Sequence, residues 1–236
     1  MTATEPPFDP GAIDAVALDI GGVFLLPSPG LTRDVLTEAG WTVPDDHDAY
    51  HRAHYRGVAA YRNRTWKASY LEAYADELGL PAAAAEPLER LHFSRPAREL
   101  WSWRQDDAVD ALCRLATTAL PLAVVTNNDG TAVQQLAEGA VCQVGPGEAT
   151  EVVVIVDSHI VGISKPGPAI FAPALDALGA DPARVLYVGD TPAADGEGAT
   201  AAGMPVVIID PHGYAAGSGY PTVPSLGAVA DLLAAG

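Results

Sequence analysis

Hydrophobic and polar positions alternate along this chain in two different rhythms. Short apolar runs of strand length stand at residues 15–20, 121–126, 151–156, 185–190 and 205–209. Each is too continuous for a half-exposed strand and fits one buried on both faces, as in a parallel sheet. Between them lie segments with helical periodicity at 106–117, 131–138, 168–179 and 195–203. Strands alternating with helices predict a parallel sheet with right-handed crossovers. The stretch 30–100 breaks the alternation, with helical patterns near 31–39, 45–62, 67–79 and 86–93 and no buried strand. The connection from the first strand to the second is therefore far longer than an ordinary crossover. An inserted helical subdomain explains it. The expected division is a core of residues 1–26 and 105–236 and a helical cap of residues 27–104, with Pro27, Pro29 and Gly30 punctuating the first boundary.

Composition narrows the function. Apolar residues make up 49% of 236 positions and charged residues 18%, which suits a folded domain with a core. The formal charge of −17, with only 13 lysines and arginines, argues against a nucleic-acid partner. Met1–Pro10 has neither a basic start nor an apolar stretch, and no apolar run reaches spanning length. The expectation is a cytoplasmic protein with no leader and no membrane contact, as a monomer or homodimer. Cys113 and Cys142 form no disulfide framework. Cys113, between Leu112 and Leu115, is expected in the core.

The chemistry gathers at strand ends. Asp19, Thr126 and Asp190 each close a different apolar run. Beyond the carboxyl ends of a parallel sheet such residues converge on one crevice. Lys165, one of two lysines, follows the third run in Ser164-Lys165-Pro166-Gly167-Pro168 and reads as a fixed cation. A carboxylate nucleophile, a hydroxyl, an ammonium and further carboxylates for a metal suit phosphoryl transfer.

These motifs resemble those of the haloacid dehalogenase superfamily, in the subfamily with a helical cap after the first motif. The resemblance rests on Leu18-Asp19-Ile20-Gly21-Gly22-Val23, on Val124-Val125-Thr126-Asn127, on residues 161–171 around Lys165, and on Val188-Gly189-Asp190-Thr191-Pro192-Ala193-Ala194-Asp195. It implies a Rossmann-like α/β core and an aspartyl-phosphate formed on Asp19. It further implies that Thr126 bonds the phosphoryl oxygens and that Lys165 neutralises charge. Magnesium would be held by Asp19, the Gly21 carbonyl and Asp190. Asp195 would serve through a metal water or orient Lys165. Gly22 and Asn127 would contact phosphate. The expected activity is hydrolysis of a small phosphorylated metabolite. The alternatives are a dehalogenase-like hydrolase and a non-catalytic phosphate binder.

One departure matters. Phosphatases of that superfamily usually carry a second aspartate two residues after the nucleophile, as general acid and then base. Here that position is Gly21. Positioned acid–base help is worth about 10²–10⁴ in rate. The name-giving dehalogenases also lack this aspartate, but they lack the paired acids of the fourth motif too, so Asp190 and Asp195 argue for metal and phosphate.

The helical insert carries its own signal. His47, His51 and His54 follow helical spacing and share a face. Arg52, Arg56, Arg62, Arg64 and Lys67 crowd the same stretch. The expectation is that part of this surface, His54 and Arg56 in particular, meets an anionic substrate; the missing proton would come through the substrate or a water, or from a cap histidine, which titrates near neutrality. A solvated face paired with acids elsewhere is the alternative. Trp66, Trp101 and Trp103 are expected in cap and hinge packing.

Overall fold

The computed structural model describes residues 6–61 and 66–235, apart from the side chains of Trp66 and Lys67. Arg62 and Arg64 of the cation-rich stretch lie outside the described residues. The first strand, β1 (Ala15–Leu18), leads through a tight loop to β2 (Leu25–Leu26). Helices α1 (Pro29–Glu38), α2 (His47–Ala60), α3 (Glu72–Glu77), α4 (Ala85–Ser94) and α5 (Ala97–Leu100) follow. A π-helical segment, Trp66–Leu71, leads into α3. The chain then returns through β3 (Trp103–Arg104).

The alternating part comprises α6 (Asp106–Ala116), β4 (Leu122–Thr126), α7 (Ala132–Glu138), β5 (Cys142–Val144), β6 (Thr150–Val152), β7 (Val154–Asp157) and α8 (Ser158–Val161). It continues with α9 (Ala172–Leu178), β8 (Val185–Gly189), α10 (Glu197–Ala201), β9 (Val206–Ile209), β10 (Thr222–Val223) and α11 (Leu226–Ala235).

Six strands form one parallel sheet in the order β10-β9-β8-β1-β4-β7. Successive residues of β1 point to opposite faces. Val16 and Leu18 join a cluster with Val109, Leu112 and Leu115 of α6 and Val229 of α11. Ala15 and Ala17 join another with Phe171, Ala174 of α9 and Ala199 of α10. Helices thus cover both faces, which is why the strands read as unbroken apolar runs. The chain order reverses at β1, which has β4 on one side and β8 on the other. A crevice opens at such a switch point.

The insertion begins and ends on a short antiparallel ribbon. Leu25 pairs with Arg104 and Leu26 with Trp103. Gln105 N–H donates to Phe24 O at 2.8 Å, and Ser28 N–H to Leu100 O at 2.7 Å. The ribbon lies just outside the helical stretch and was too short to stand out in the apolar pattern. The run at 151–156 is divided between β6 and β7, which belong to different sheets. Cys113 corrects the expectation made for it: it is exposed, facing Thr150 Oγ1 at 3.3 Å, whereas Cys142 is buried. Leu112 and Leu115 do face the core. Cys113, one residue past Leu112, is turned about 100° around the helix, away from them.

Candidate active site

Asp19 follows β1 directly, Thr126 ends β4 and Asp190 follows β8. All are buried, as are Lys165 and Asp195. The carboxylates of Asp19, Asp190 and Asp195 offer oxygens within 4.8 Å of one another. They line or adjoin a cavity of about 260 Å³ bounded also by Gly21, His54, Trp101, Thr126, Asn127 and Lys165.

Lys165 balances the cluster. Its Nζ lies 2.9 Å from Asp19 Oδ1 and 2.7 Å from Asp195 Oδ1, and donates to Tyr187 OH at 2.9 Å. Burial works against its charge, but the two carboxylates outweigh burial and raise its pKa. Its backbone is clamped by one side chain. Lys165 N–H donates to Asn127 Oδ1 at 2.8 Å, and Asn127 Nδ2 donates to Lys165 O at 3.1 Å. The Asn127 amide expected on phosphate is thus committed to holding Lys165. Tyr187, which nothing in the strand pattern singled out, donates to Val125 O at 2.9 Å and keeps the ammonium in place. Its phenol is held protonated, with a pKa raised by burial and by the neighbouring Asp195 and Asp19.

Asp195 is an organiser. Its Oδ2 accepts from the amides of Asp190 at 3.0 Å and Thr191 at 2.9 Å, while Oδ1 meets Lys165 and Tyr187. It accepts at both oxygens and does not line the cavity. Its reading as the residue that orients Lys165 matches the geometry. Asp190 accepts from Thr191 Oγ1 at 2.7 Å through Oδ1 and faces His54 Nε2 at 2.8 Å through Oδ2.

Asp19 is the least compensated member. Its Oδ1 pairs with Lys165 off the direction of a hydrogen bond and is otherwise buried without a partner. Burial, aided by Asp195 and Asp190 and opposed by Lys165, pushes its pKa up to about 7. Three carboxylates around one ammonium leave an excess of buried negative charge. A divalent cation fits that excess, and the oxygen-only donor set is of the kind magnesium takes.

The glycines of the loop act sterically. Gly22 has φ +67°, and a Cβ there would lie 1.8 Å from Asp190 Oδ2. Its amide donates to Leu25 O at 3.0 Å, so the phosphate contact expected of it is replaced by making room for Asp190. Gly21 lies against an indole: a Cβ there would meet Trp101 Cζ3 at 3.2 Å. A longer side chain at Gly21 therefore requires Trp101 to move. Trp101, expected only in packing, is a wall of the cavity.

The helical face of α2 reaches the site through one residue. His54 Nε2 faces Asp190, and Nδ1 faces Tyr70 OH at 3.0 Å. A neutral imidazole satisfies both, donating from Nε2 and accepting at Nδ1. His51 instead pairs with His212 of the core, Nδ1 to Nε2, at 2.8 Å. His47 is exposed and packs edge-on to Trp103 at 5.6 Å. Arg56 corrects its expected role: it is exposed, its guanidinium 5.7 Å from the Tyr214 ring centroid, and it does not line the cavity. Two residues past His54 on a helix is about 200° of rotation, which turns Arg56 away from the face that His54 presents. Tyr55, between them, donates its hydroxyl to Gly22 O at 2.7 Å.

The sequence and the fold are similar to those of known proteins. A sequence profile described as a haloacid dehalogenase-like hydrolase matches residues 13–203. A phosphoglycolate phosphatase of Rhodospirillum rubrum is 31% identical over 219 residues, 92% of this chain and 85% of the relative. A phosphatase of this superfamily from Thermococcus onnurineus superposes with a TM-score of 0.57 at 19% identity, covering 94% of this chain and 98% of the other. A 2-haloacid dehalogenase from Pseudomonas syringae superposes with a TM-score of 0.54 at 22% identity, covering 94% and 99%. The last two show the fold, and the fold is common to both chemistries.

Proposed function

The chain belongs to the haloacid dehalogenase-like hydrolases, and we propose that it is a magnesium-dependent phosphatase of a small phosphorylated metabolite, with Asp19 as nucleophile. The observation that carries this reading is the excess of buried carboxylate around one ammonium at the switch point of the sheet. Attack on carbon needs no such excess. A dianionic phosphoryl group bound together with a divalent cation requires it, because the cation neutralises both partners. The phosphoglycolate phosphatase relative supports the same class.

In this reading Asp19 and Asp190, with the Gly21 carbonyl, hold magnesium, which supplies charge neutralisation when bound. An Asp19 carboxylate oxygen attacks phosphorus and the ester oxygen leaves. Lys165 offsets the charge on Asp19 and on the phosphoryl oxygens. The Thr126 hydroxyl, buried at the end of β4, donates to one of those oxygens. Water then attacks phosphorus, releasing phosphate and restoring the carboxylate. Residues 27–104 act as a cap over a core of 1–26 and 105–236, hinged at the β2–β3 ribbon. The contacts of α2 with His212, Asp190 and Gly22 support a cap that closes on the core.

A panel of phosphorylated metabolites assayed with and without magnesium tests the reading. Turnover of at least one ester that disappears on chelation is the expected result. Release of halide from a haloacid, with no effect of chelation, would transfer the protein to the dehalogenases.

A further inference from the structure

Resting on the phosphatase reading, we propose that this enzyme takes phosphates whose leaving oxygen is weakly basic, namely aryl, enol or acyl phosphates, and discriminates against alkyl phosphate esters. Two independent features of the cavity lead there: its supply of protons and the nature of its far wall.

An alkoxide must be protonated as it departs. Among the described residues that line the cavity, the acidic groups are already committed. Asp19 is the nucleophile. Both Asp190 oxygens are occupied, by Thr191 Oγ1 and His54 Nε2. His54 has one ring nitrogen on Asp190 and the other on Tyr70. Lys165 is held by Asp19, Asp195 and Tyr187. The amide side chains are equally engaged: Gln135 Nε2 donates to Trp101 O at 2.8 Å, and Asn128 Nδ2 donates to Gln135 Oε1 at 2.8 Å. The Thr126 hydroxyl is given to a phosphoryl oxygen in the phosphatase reading, and the Tyr61 phenol is tested by its own variant.

The far wall points the same way. It is formed by Val58, Tyr61, Ala97 and Trp101. The indole sits against Gly21, two residues from the nucleophile, where a Cβ would already touch it at 3.2 Å. Edge contacts from His54 at 5.6 Å and His92 at 6.4 Å hold the ring. A localised alkoxide developing against this surface would be desolvated and unpaired, which is costly. A phenolate, enolate or carboxylate spreads its charge, and a planar body gains contact with the indole and phenol faces.

The step balances without an acid. The Asp19 carboxylate forms a bond to phosphorus, the phosphorus–oxygen bond to the leaving group breaks, and that oxygen departs with the electron pair as a stable anion. Water then attacks the aspartyl-phosphate phosphorus, the bond to Asp19 breaks, and the proton of water goes to the released phosphate.

The experiment measures kcat/KM with magnesium for ring-substituted phenyl phosphates of graded leaving-group basicity, for acetyl phosphate and for glycerol phosphate. An enzyme that protonates the leaving oxygen shows almost no dependence on its basicity. Here kcat/KM is expected to fall steadily across the phenyl series, with glycerol phosphate about 10²–10⁴-fold below the best substrate. Tyr61→Phe should leave that gap unchanged. The double variant Gly21→Asp with Trp101→Ala, which clears space for a carboxyl group, should narrow it. Wild-type kinetics suffice if that variant does not fold. A flat phenyl series, glycerol phosphate within about tenfold of the aryl esters, or a Tyr61→Phe loss confined to poor leaving groups would each overturn the proposal while leaving the phosphatase reading intact. Preference for acetyl phosphate over the aryl esters, or the reverse, supports it and separates the acyl from the aryl source. Absence of turnover on every phosphate overturns the phosphatase reading itself.

Discussion

The two walls of the cavity are built on opposite principles. The floor, at the ends of β1, β4 and β8, is charged. Its residues are held through their backbone by neighbouring side chains: Lys165 by the reciprocal bonds of the Asn127 amide, Asp190 by the Asp195 carboxylate that accepts from the amides of Asp190 and Thr191. The opposite wall is apolar and is held by side chains reaching across from the core. Gln135 Nε2 donates to Trp101 O, Asp129 Oδ2 accepts from Ala97 N–H at 2.8 Å, and the Trp101 ring rests on Gly21. That contrast decides which wall can change. Altering the floor removes charge compensation from groups with no water to replace it, whereas altering the wall changes shape. The first should control whether the reaction occurs, the second which ester is accepted.

The most severe break in that contrast is Asp19→Asn, which is near-isosteric but cannot form an acyl-phosphate. It should lower kcat by at least about 10³-fold while circular dichroism stays native. Retention of several per cent of activity would remove Asp19 as nucleophile.

Gly22→Ala tests the floor without touching a reacting group. The new Cβ would fall 1.8 Å from Asp190 Oδ2 at a backbone φ of +67°. Overpacking of this kind costs about 1–3 kcal/mol. Urea denaturation should register it, together with a weakened rise in Tm on adding magnesium. An unchanged magnesium response would mean that Asp190 does not hold the metal.

Gln135→Leu loosens the wall. It strips a buried donor from Trp101 O and leaves that carbonyl unsatisfied, at about 1–3 kcal/mol. Because the floor is untouched, KM for the preferred ester should rise several-fold with kcat nearly constant. A fall in kcat with unchanged KM would show that the wall takes part in the chemistry.

The smallest effect concerns the outer contact of α2. Burial, helped by the nearby His212 and His54 and by Arg52, and opposed by Asp48, lowers the His51 pKa to about 4. The free imidazole value is about 6.5, so the folded state binds fewer protons than the unfolded chain between those values. The contribution of neutral His51 is therefore complete above about pH 6.5 and is lost as pH falls toward about 4. His51 is part-exposed, so after solvent screening about 1 kcal/mol is expected. His51→Gln should flatten the stability profile over that window in urea titrations at several pH values. A profile identical to wild type would show that the His51–His212 contact carries no pH dependence.

Much of the floor could be read along the chain. Asp19, Thr126 and Asp190 stand at the ends of apolar runs, and in a parallel sheet all such ends lie on one side. The helical insertion was legible from the length of the first crossover. The stripe His47, His51, His54 was legible as one helical face, yet its residues end in three different places: solvent, a core histidine and the Asp190 carboxylate. Periodicity fixes which side of a helix a residue occupies, but the depth at which that side meets another element depends on how the two pack.

The parallel α/β core, the inserted helices and the convergence of Asp19, Thr126, Lys165 and Asp190 follow from the chain's own pattern, because strand-end position is set by local pattern and topology. Packing between distant elements is what sets Trp101 beside Gly21, makes Gly22 the position that admits Asp190, brings Tyr187 and Asn127 onto Lys165 and turns Arg56 away from the cavity. Gly21 and Trp101 are separated by the entire helical insertion. No periodicity links them; they meet because the β2–β3 ribbon brings the two ends of that insertion together, and side-chain packing across the junction does the rest.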